Sequence, residues 1–335
     1  MIDFLIVGHG LAGSVLAHLL LHSGKRVVVL EATLPHSASK VAAGLVNPLI
    51  GPKFNVPLHM EECLMANERF FRPFEEELGR SLQPELSLHR ILTSSEQREL
   101  WLKKSKTPDL LPYGPKTRPP GDYKSLGLDA PFGGGIHLAR QLDVSGFLRH
   151  SEEKLRQNDC WLDGAFAEEE WPHAEKIVFC EGFRVTSNPW FGDLPFAPAQ
   201  GEILCLHTAL PIAASNGKWI IPDDPKGSLA GSTWKHESLE SGPTNEGKDE
   251  ILQGLNFVPA GLLEVADHLS GVRSGTRDRN PIIGRHWENH RMHLFNGFGS
   301  RGATTLAFYA RRMRDFLLNN RPLPLEAVLG RFARP

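Results

Sequence analysis

The sequence of 335 residues predicts a two-domain protein of the α/β class (α+β overall), with one parallel sheet and one mixed or antiparallel sheet. Two observations predict this fold. A strand, a glycine-rich turn and a helix stand at the start of the chain and again near its end, at residues 292–318. Between them, residues 202–207, 218–221 and 228–231 form short strand-like runs separated by turn residues, which is typical of an antiparallel meander.

The first thirty-one residues are the most informative stretch. Residues 4–7 are apolar and β-branched, as in a buried parallel strand, residues 12–23 have a helical pattern, and residues 27–30 predict a second strand that ends in Glu31. Gly8, Gly10 and Gly13 lie between the first strand and the helix in the order G-x-G-x-x-G. This arrangement predicts a Rossmann-type dinucleotide site.

Each of these residues has a physical task in such a site. Gly8 permits the tight turn, Gly10 lets backbone approach a pyrophosphate, and Gly13 lets the helix pack on the strand. The free N–H groups at the helix N-terminus favour phosphate. Glu31 can accept hydrogen bonds from a ribose. An acidic residue at this position, where an arginine would favour NADP, disfavours NADP but does not distinguish NAD from FAD. His9, inside the turn, is expected to be incidental.

The other elements are predicted by the same signals. Asp143 is expected to cap a helix that runs to about residue 158, and residues 176–180 predict a buried strand followed by Gly182. Residues 105–135 and 271–284 are rich in turn residues and are expected to be irregular. Further helices are expected at residues 58–78, 94–104, 245–258 and 303–318, and further strands at residues 86–92 and 292–295.

Composition excludes several classes of protein. The formal net charge of −2 provides no general attraction to nucleic acid, so nucleic-acid binding is not expected. The four cysteines have no metal-ligand spacing, which indicates a reducing compartment and no metal site. No apolar run reaches the length of a membrane span and the N-terminus lacks a signal-peptide pattern, so a cytoplasmic protein is expected. Composition does not predict the oligomeric state.

Taken together, six segments resemble the D-amino-acid-oxidase-like, FAD-dependent amine oxidoreductases, which include the glycine oxidases. They are residues 8–13 with Glu31, 37–45, 195–202, 226–234, 271–278 and 297–302. Within that family, residues 44–50, 271–278 and 299–302 are most similar to the FAD domain of the bifunctional tRNA wobble-uridine modification enzymes, whose methyltransferase half is absent here. The sequence departs from the family at Gln200, where an arginine is usual, and at Trp219, where a tyrosine is common.

Because the strand–turn–helix signals lie at both ends of the chain and the meander lies between them, we predict a discontinuous FAD-binding domain made of residues 1–50, 136–200 and 268–335, with residues 51–135 and 201–267 forming the substrate domain. The resemblance has further implications. It implies non-covalent FAD, with Arg273 pairing a substrate carboxylate and Trp219 and Trp234 lining the substrate pocket. The cofactor-binding residues that it implies are Gly8, Gly10, Leu11, Ala12, Gly13, Glu31, Ala32, Ser39, Lys40, Ala43, Gly44, Leu45, Gly182, Arg273, Gly297, Phe298, Gly299, Ser300, Arg301, Gly302, Ala303 and Thr304.

Alternatives remain open for the key side chains and for the function. Arg273 could be a surface ion-pair partner, and the two tryptophans could belong to the core. The function implied first is oxidation of the C–N bond of a small amine or amino acid by hydride transfer to flavin N5. The alternatives are oxidation of a carboxymethylaminomethyl-uridine in tRNA and a catalytically silent dinucleotide-binding protein.

Overall fold

The computed structural model describes residues 2–171, 173–208, 210–223 and 225–332. Its first sheet has six strands, and all of them are parallel except the edge strand at one end. In spatial order the strands are β14 (Ile282–Arg285), β15 (Met292–Asn296), β8 (Ala174–Phe179), β1 (Ile2–Val7), β2 (Val27–Glu31) and β7 (Trp161–Asp163). Central strand β1 pairs with β2 and β8 on its two sides, which is the predicted Rossmann-type arrangement.

Helices cover one face of this sheet and form the largest core. They are α1 (Leu11–Leu21), α2 (Met60–Leu78), α5 (Val144–Gln157) and α7 (Gly302–Asn319). Side chains of β1 alternate between the two faces of the sheet. Phe4 and Ile6 point into this core, and Leu5 and Val7 point to the opposite face. Both faces of β1 are therefore buried, which explains its continuous apolar run.

The second sheet has nine strands and is mixed, since β10 and β4 pair in parallel and the other pairs are antiparallel. In order they are β13 (Val265–Arg273), β9 (Ala199–Leu206), β12 (Ser228–Gly231), β11 (Trp219–Pro222), β10 (Ala213–Ser215), β4 (Glu85–Ile91), β6 (Gly134–Gln141) and β3 (Leu45–Val46), with β5 (Lys116–Arg118) beside β6. Helices α3 (Ser95–Lys104), α4 (Pro120–Lys124) and α6 (Asn245–Gly254) accompany it.

The structure corrects the expected irregular segments. Residues 105–135 contain β5 and α4, and β6 begins inside the glycine run. The glycines belong to a strand because aromatic rings lie on their backbone: a Cβ atom at Gly134 would meet the Tyr123 hydroxyl oxygen at 2.0 Å, and one at Gly135 would meet the Trp101 ring at 2.3 Å. Residues 271–273 are likewise the end of β13, and residues 282–285 are β14.

The meander and one helix also differ from expectation. Strand β10 lies between the first two predicted runs of the meander, and β9 pairs with β12 and not with β11. Helix α6 ends at Gly254, four residues before the expected end at residue 258. Local patterns mark where strands occur, whereas their pairing is set by contacts between segments that are distant in the chain.

Sheet membership can be compared with the predicted domain ranges. The strands between residues 201 and 231 lie in the second sheet. This sheet also contains β3, β6, β13 and the first two residues of β9, although residues 45–46, 136–141, 199–200 and 268–273 were assigned to the FAD-binding domain. The division of the chain into two domains remains a proposal. Among the described residues, no helix is both long and apolar enough to span a membrane.

Candidate active site

A cavity of about 1110 Å³ lies at the carboxyl ends of the parallel strands β1, β2 and β8. This is the edge at which ligands bind in open α/β sheets. The second sheet supplies the opposite wall through Gly201 and Ile203 of β9, Trp219 of β11 and the end of β13. The cavity therefore lies between a dinucleotide-binding sheet and a second, mixed sheet, and it is large enough for a cofactor together with a small molecule.

The glycine-rich turn has the shape that a pyrophosphate requires. Gly8 has φ +101°, and a Cβ atom there would meet the carbonyl oxygen of Cys180 at 2.7 Å. A Cβ atom at Gly13 would lie 1.9 Å from the carbonyl oxygen of Gly8, so only glycine lets α1 approach β1 this closely. Helix α1 has no cap from a side chain at Gly10 and no acidic residue in its first turn, although the backbone N–H of Leu11 donates to the Ser39 hydroxyl. The positive end of its dipole is therefore not neutralised by a carboxylate of its own first turn and favours an anion.

Glu31, at the end of β2, lines the same cavity. Its Oε2 accepts a hydrogen bond from the backbone N–H of His9 at 2.6 Å, and its Oε1 accepts one from Thr33 at 3.0 Å. The carboxylate is thus fixed relative to the turn by backbone donors, and its remaining lone pairs are available to a ribose.

The segment 37–45 is fastened between α1 and β13. The Ser39 hydroxyl accepts a hydrogen bond from the backbone N–H of Leu11 at 3.1 Å, and the backbone N–H of Val272 donates to the carbonyl of His36 at 2.9 Å. Gly44 has φ +70° and touches Leu142 so closely that a Cβ atom would lie 1.8 Å from its carbonyl oxygen. This segment forms a wall that lets backbone lie against a flat ligand.

The second glycine-rich turn joins β15 to α7. Gly297 has φ +87°, and the backbone N–H of Gly299 donates to the carbonyl of Ser274 at 2.8 Å, which ties this turn to the end of β13. Phe298, Gly299, Ser300, Gly302 and Ala303 line the cavity. The turn thus brings the N-terminus of α7 to the cavity, where its dipole favours negative charge.

Arg273, the last residue of β13, is held in this wall. Its guanidinium lies 4.8 Å from the centroid of the Trp234 ring, and a Cβ atom at Gly201 would overlap it at 2.1 Å, so Trp234 and Gly201 flank the side chain. Its Nη1 donates to the carbonyl of Thr233 at 3.0 Å. Burial lowers the pKa of Arg273 to about 10, which leaves it cationic at neutral pH.

No carboxylate neutralises this cation among the residues that the structure describes. Arg273 is absent from their ion pairs, and its one hydrogen bond goes to a backbone carbonyl. A buried charge without a counter-ion is costly, and an anionic ligand in the cavity would remove that cost. The interpretation of Arg273 as a surface ion-pair partner is therefore disfavoured.

Most of the predicted site residues share this one cavity. It is lined by Gly8, Gly10, Leu11, Ala12, Glu31, Ala32, Ser39, Lys40, Ala43, Gly44, Leu45, Gly182, Trp219, Trp234 and Arg273, together with the five residues of the second turn named above. Trp219 also packs on a small core cluster, so it both lines the cavity and contributes to the core. Trp234 is 48% exposed and is not a core residue.

Four predicted cofactor residues do not line the cavity: Gly13, Gly297, Arg301 and Thr304. Gly13 lies at the packing contact between α1 and β1, and Gly297 packs on Thr276 and Pro281. Arg301 and Thr304 line a separate cavity of about 150 Å³ on the other side of the turn. The roles assigned to the individual residues remain predictions.

Sequence reasoning missed part of the lining. Residues 187–190 follow β8 and line the cavity, as do Phe166, Arg184, Ser232 and Ser274. Glu181 also lines it, and burial raises the pKa of its carboxyl group although Asn188 donates a hydrogen bond to it. Glu181 and Gly182 follow a predicted strand, which was the available signal, whereas residues 187–190 carried none. No group of metal-binding side chains occurs in the described part of the chain.

Comparisons with known proteins identify the family of the chain. Residues 3–315 match the family of FAD dependent oxidoreductases abbreviated DAO. The glycine oxidase of Pseudomonas aeruginosa PAO1 is 24% identical over 331 residues, which covers 83% of this chain and 84% of that protein.

Two solved structures share the fold. The glycine oxidase from Bacillus cereus ATCC 14579 has a TM-score of 0.80 at 18% identity and covers 96% of each chain. The iminodiacetate oxidase from Chelativorans sp. BNC1 has a TM-score of 0.78 at 20% identity and covers 96% of this chain and 97% of its own. Since the family match spans nearly the whole sequence, the chain belongs to the DAO family of FAD-dependent oxidoreductases.

Proposed function

We propose that this protein oxidises the C–N bond of a small amine that bears a carboxylate, such as an amino acid. The observation that carries the proposal is Arg273, a partly buried cation that lines the cavity and has no carboxylate partner among the described residues. A guanidinium can hold a carboxylate through two parallel hydrogen bonds, which fixes both the position and the orientation of the substrate.

The residues around Arg273 restrict how a substrate can bind. Trp234 covers one side of the guanidinium and the backbone of Gly201 lies against it, so its free N–H groups are presented along its edge. A carboxylate bound at that edge would place the rest of a small amine between Trp219 and Trp234, both of which line the cavity.

The residues present fit FAD as the cofactor. Gly8, Gly10 and the N-terminus of α1 form the turn that would hold the pyrophosphate, and Glu31 is fixed beside it. This turn requires glycine at position 8, where a Cβ atom would clash with the carbonyl oxygen of Cys180. When bound, FAD supplies the acceptor for the hydride equivalent that leaves the α carbon of the amine. The cysteines of the chain do not occur in segments 37–45 or 296–304, which supports a non-covalent cofactor.

The protein's own contribution is then mainly to bind and orient the substrate. The amine must be neutral for its C–H bond to be oxidised, and no histidine other than His9 lines the cavity among the described residues. His9 is turned away toward α5, as described below. We therefore assign the protein's main catalytic contribution to positioning of the substrate by Arg273 and the two tryptophans.

The test is anaerobic mixing of the purified holoenzyme with matched pairs of amines while the visible flavin band is recorded. Glycine and iminodiacetate would be compared with methylamine and dimethylamine, which carry no carboxylate. The proposal predicts that only the first pair bleaches the flavin at low concentration. Equal bleaching by the amines without a carboxylate would contradict it. Carboxymethylaminomethyl-uridine forms a third arm, and bleaching by that nucleoside alone would favour the tRNA-modification alternative.

A further inference from the structure

A buried polar cluster lies directly behind the glycine-rich turn. The Ser151 hydroxyl, on α5, is 3.0 Å from Nε2 of His9 and 2.9 Å from Nε2 of His18. Ser151 is completely buried, and the two histidines are 8% and 3% exposed. A hydroxyl has one proton to donate, so it donates to one ring nitrogen and accepts an N–H from the other.

Both rings are neutral in this cluster. Burial, reinforced by positive groups nearby, lowers the pKa of His9 and of His18 to about 3. The cluster is therefore a fixed set of neutral hydrogen bonds at ordinary pH. The His9 ring also contacts Trp161 edge-on, with ring centroids 4.6 Å apart. Contacts from Ser151 of α5 and Trp161 of β7 thus hold that ring in one orientation.

The two histidines differ in what they are attached to. His18 lies in the last turn of α1, where the helix already fixes its backbone. His9 lies between Gly8 and Gly10, and the backbone N–H of His9 donates to Glu31 at 2.6 Å. Glycine restricts the backbone dihedral angles little, so the glycines on both sides of His9 do not fix the orientation of its backbone. That orientation therefore depends on where the His9 side chain is held.

We propose that Ser151 is a positioning residue for FAD, because by holding the His9 ring it fixes the glycine-rich turn and the Glu31 carboxylate in the arrangement that binds the cofactor. Ser151 does not line the cavity and does not touch the cofactor site itself. Its effect on FAD passes through His9. The alternative is that Ser151 only satisfies two buried rings and contributes to stability alone.

The experiment is a double-mutant cycle on FAD affinity, measured by titrating apoprotein with FAD and following the change in flavin fluorescence. The variants are Ser151→Ala, His9→Ala and the combination of both, each also characterised by its Tm. Ser151→Thr keeps the hydroxyl, and Ser145→Ala deletes a hydroxyl from an exposed position of the same helix as the matched control.

We expect Ser151→Ala to weaken FAD binding about tenfold in the wild-type background, which is the usual effect of losing one buried hydrogen bond. In the His9→Ala background the same change should weaken binding less than about twofold, although it still lowers the Tm through His18. Ser151→Thr should retain most of the affinity, and Ser145→Ala all of it.

Two results would overturn the proposal. One is a Ser151→Ala protein with a lowered Tm and wild-type FAD affinity. The other is an equal loss of affinity in the presence and in the absence of the His9 ring. If Ser151→Ala does not fold, Ser151→Cys replaces it in the same cycle, because the thiol has nearly the size of the hydroxyl and is only a weak donor.

Discussion

At the scale of single residues, Arg273 is a partly buried cation that has no carboxylate counter-ion in the described part of the chain. The backbone of Gly201 makes room for the guanidinium, and the Trp234 ring lies over it. The structure stabilises this arrangement by packing and by one hydrogen bond to the carbonyl of Thr233. Such a residue is expected to be more important for binding an anion than for the fold.

The first prediction follows from this arrangement. With a carboxylate-bearing amine, Arg273→Ala should lower kcat/KM by the equivalent of roughly 2–4 kcal/mol, because the substrate loses its charged partner in a partly dry site. Arg273→Lys should lower it less, since the charge remains and only the planar fork is lost. Steady-state kinetics and the flavin content of both proteins would be measured, and the flavin content should remain near that of the wild type.

Arg277 provides the control for this prediction. It lies four residues further along, is exposed and does not line the cavity. Arg277→Ala should change kcat/KM by less than about 0.5 kcal/mol. An Arg273→Ala enzyme with unchanged kcat/KM would remove Arg273 from the site, and the case for a carboxylate-bearing substrate with it.

At the scale of elements, helix α5 supports the cavity through Val144 and Leu148, and its start is set by a single side chain. Asp143 Oδ1 accepts a hydrogen bond from the backbone N–H of Gly146 at 2.8 Å, and Oδ2 pairs with Arg80 at 2.7 Å. Burial raises the pKa of Asp143, but these hydrogen bonds outweigh it, and the net pKa lies below the ordinary 3.8.

The second prediction concerns this cap. Asp143→Ala should destabilise the protein by about 1 kcal/mol at neutral pH, whereas Asp143→Asn, which also caps helices, should cost less. Because the folded-state pKa is lowered, the contribution is present above pH 3.8 and is lost as the pH falls through the folded value. Thermal unfolding of the three proteins at neutral and acidic pH measures this. A difference between wild type and Asp143→Ala that grows on acidification would contradict it.

Elements also show the limit of local patterns. The capping signal at Asp143 and the apolar run of β1 were predicted correctly because each is decided within a few residues. The end of β13 falls within residues 271–284, which were expected to be irregular because they are rich in turn residues. In the structure Gly271 packs on Val41 and Ala38, where a side chain would not fit. Such a glycine is required by a contact with residues that are distant in the sequence. The residues next to it in the chain do not predict that contact.

At the scale of the whole molecule, several histidines are buried as neutral rings. His9, His18 and His137 all have a pKa lowered to about 3, chiefly by burial. In an unfolded chain the same groups would titrate near 6.5. The unfolded state therefore binds more protons than the folded state between these values, and the folded protein loses stability as the pH falls below 6.5.

The third prediction isolates one of these groups. His137 is 1% exposed, and its Nε2 bonds to Asn47 Oδ1 at 2.9 Å. His137→Gln keeps a donor for Asn47 but cannot be protonated. Between pH 7.5 and pH 5.0 the wild type should lose about 2 kcal/mol more stability than the variant, at 1.36 kcal/mol per pH unit below 6.5. Tm values of both holoenzymes across this range provide the measurement, and parallel profiles would contradict the prediction.

The sequence by itself determined the dinucleotide unit of this protein. Its three glycines, Gly8, Gly10 and Gly13, lie between the first strand and the first helix, and Glu31 ends the second strand. All four residues lie within one short segment, so the local sequence is enough to predict their arrangement. The resemblance extended this to the DAO family, which the comparisons confirm.

Only the tertiary structure decided how the walls of the cavity meet. Three contacts join residues that are far apart in the chain. Strand β9 pairs with β12, Gly201 and Trp234 flank Arg273, and Ser151 contacts His9. His9 was expected to be incidental because its local pattern gives it no task. Its interactions arise from α5, 142 residues away, and packing between distant segments is not encoded in local spacing.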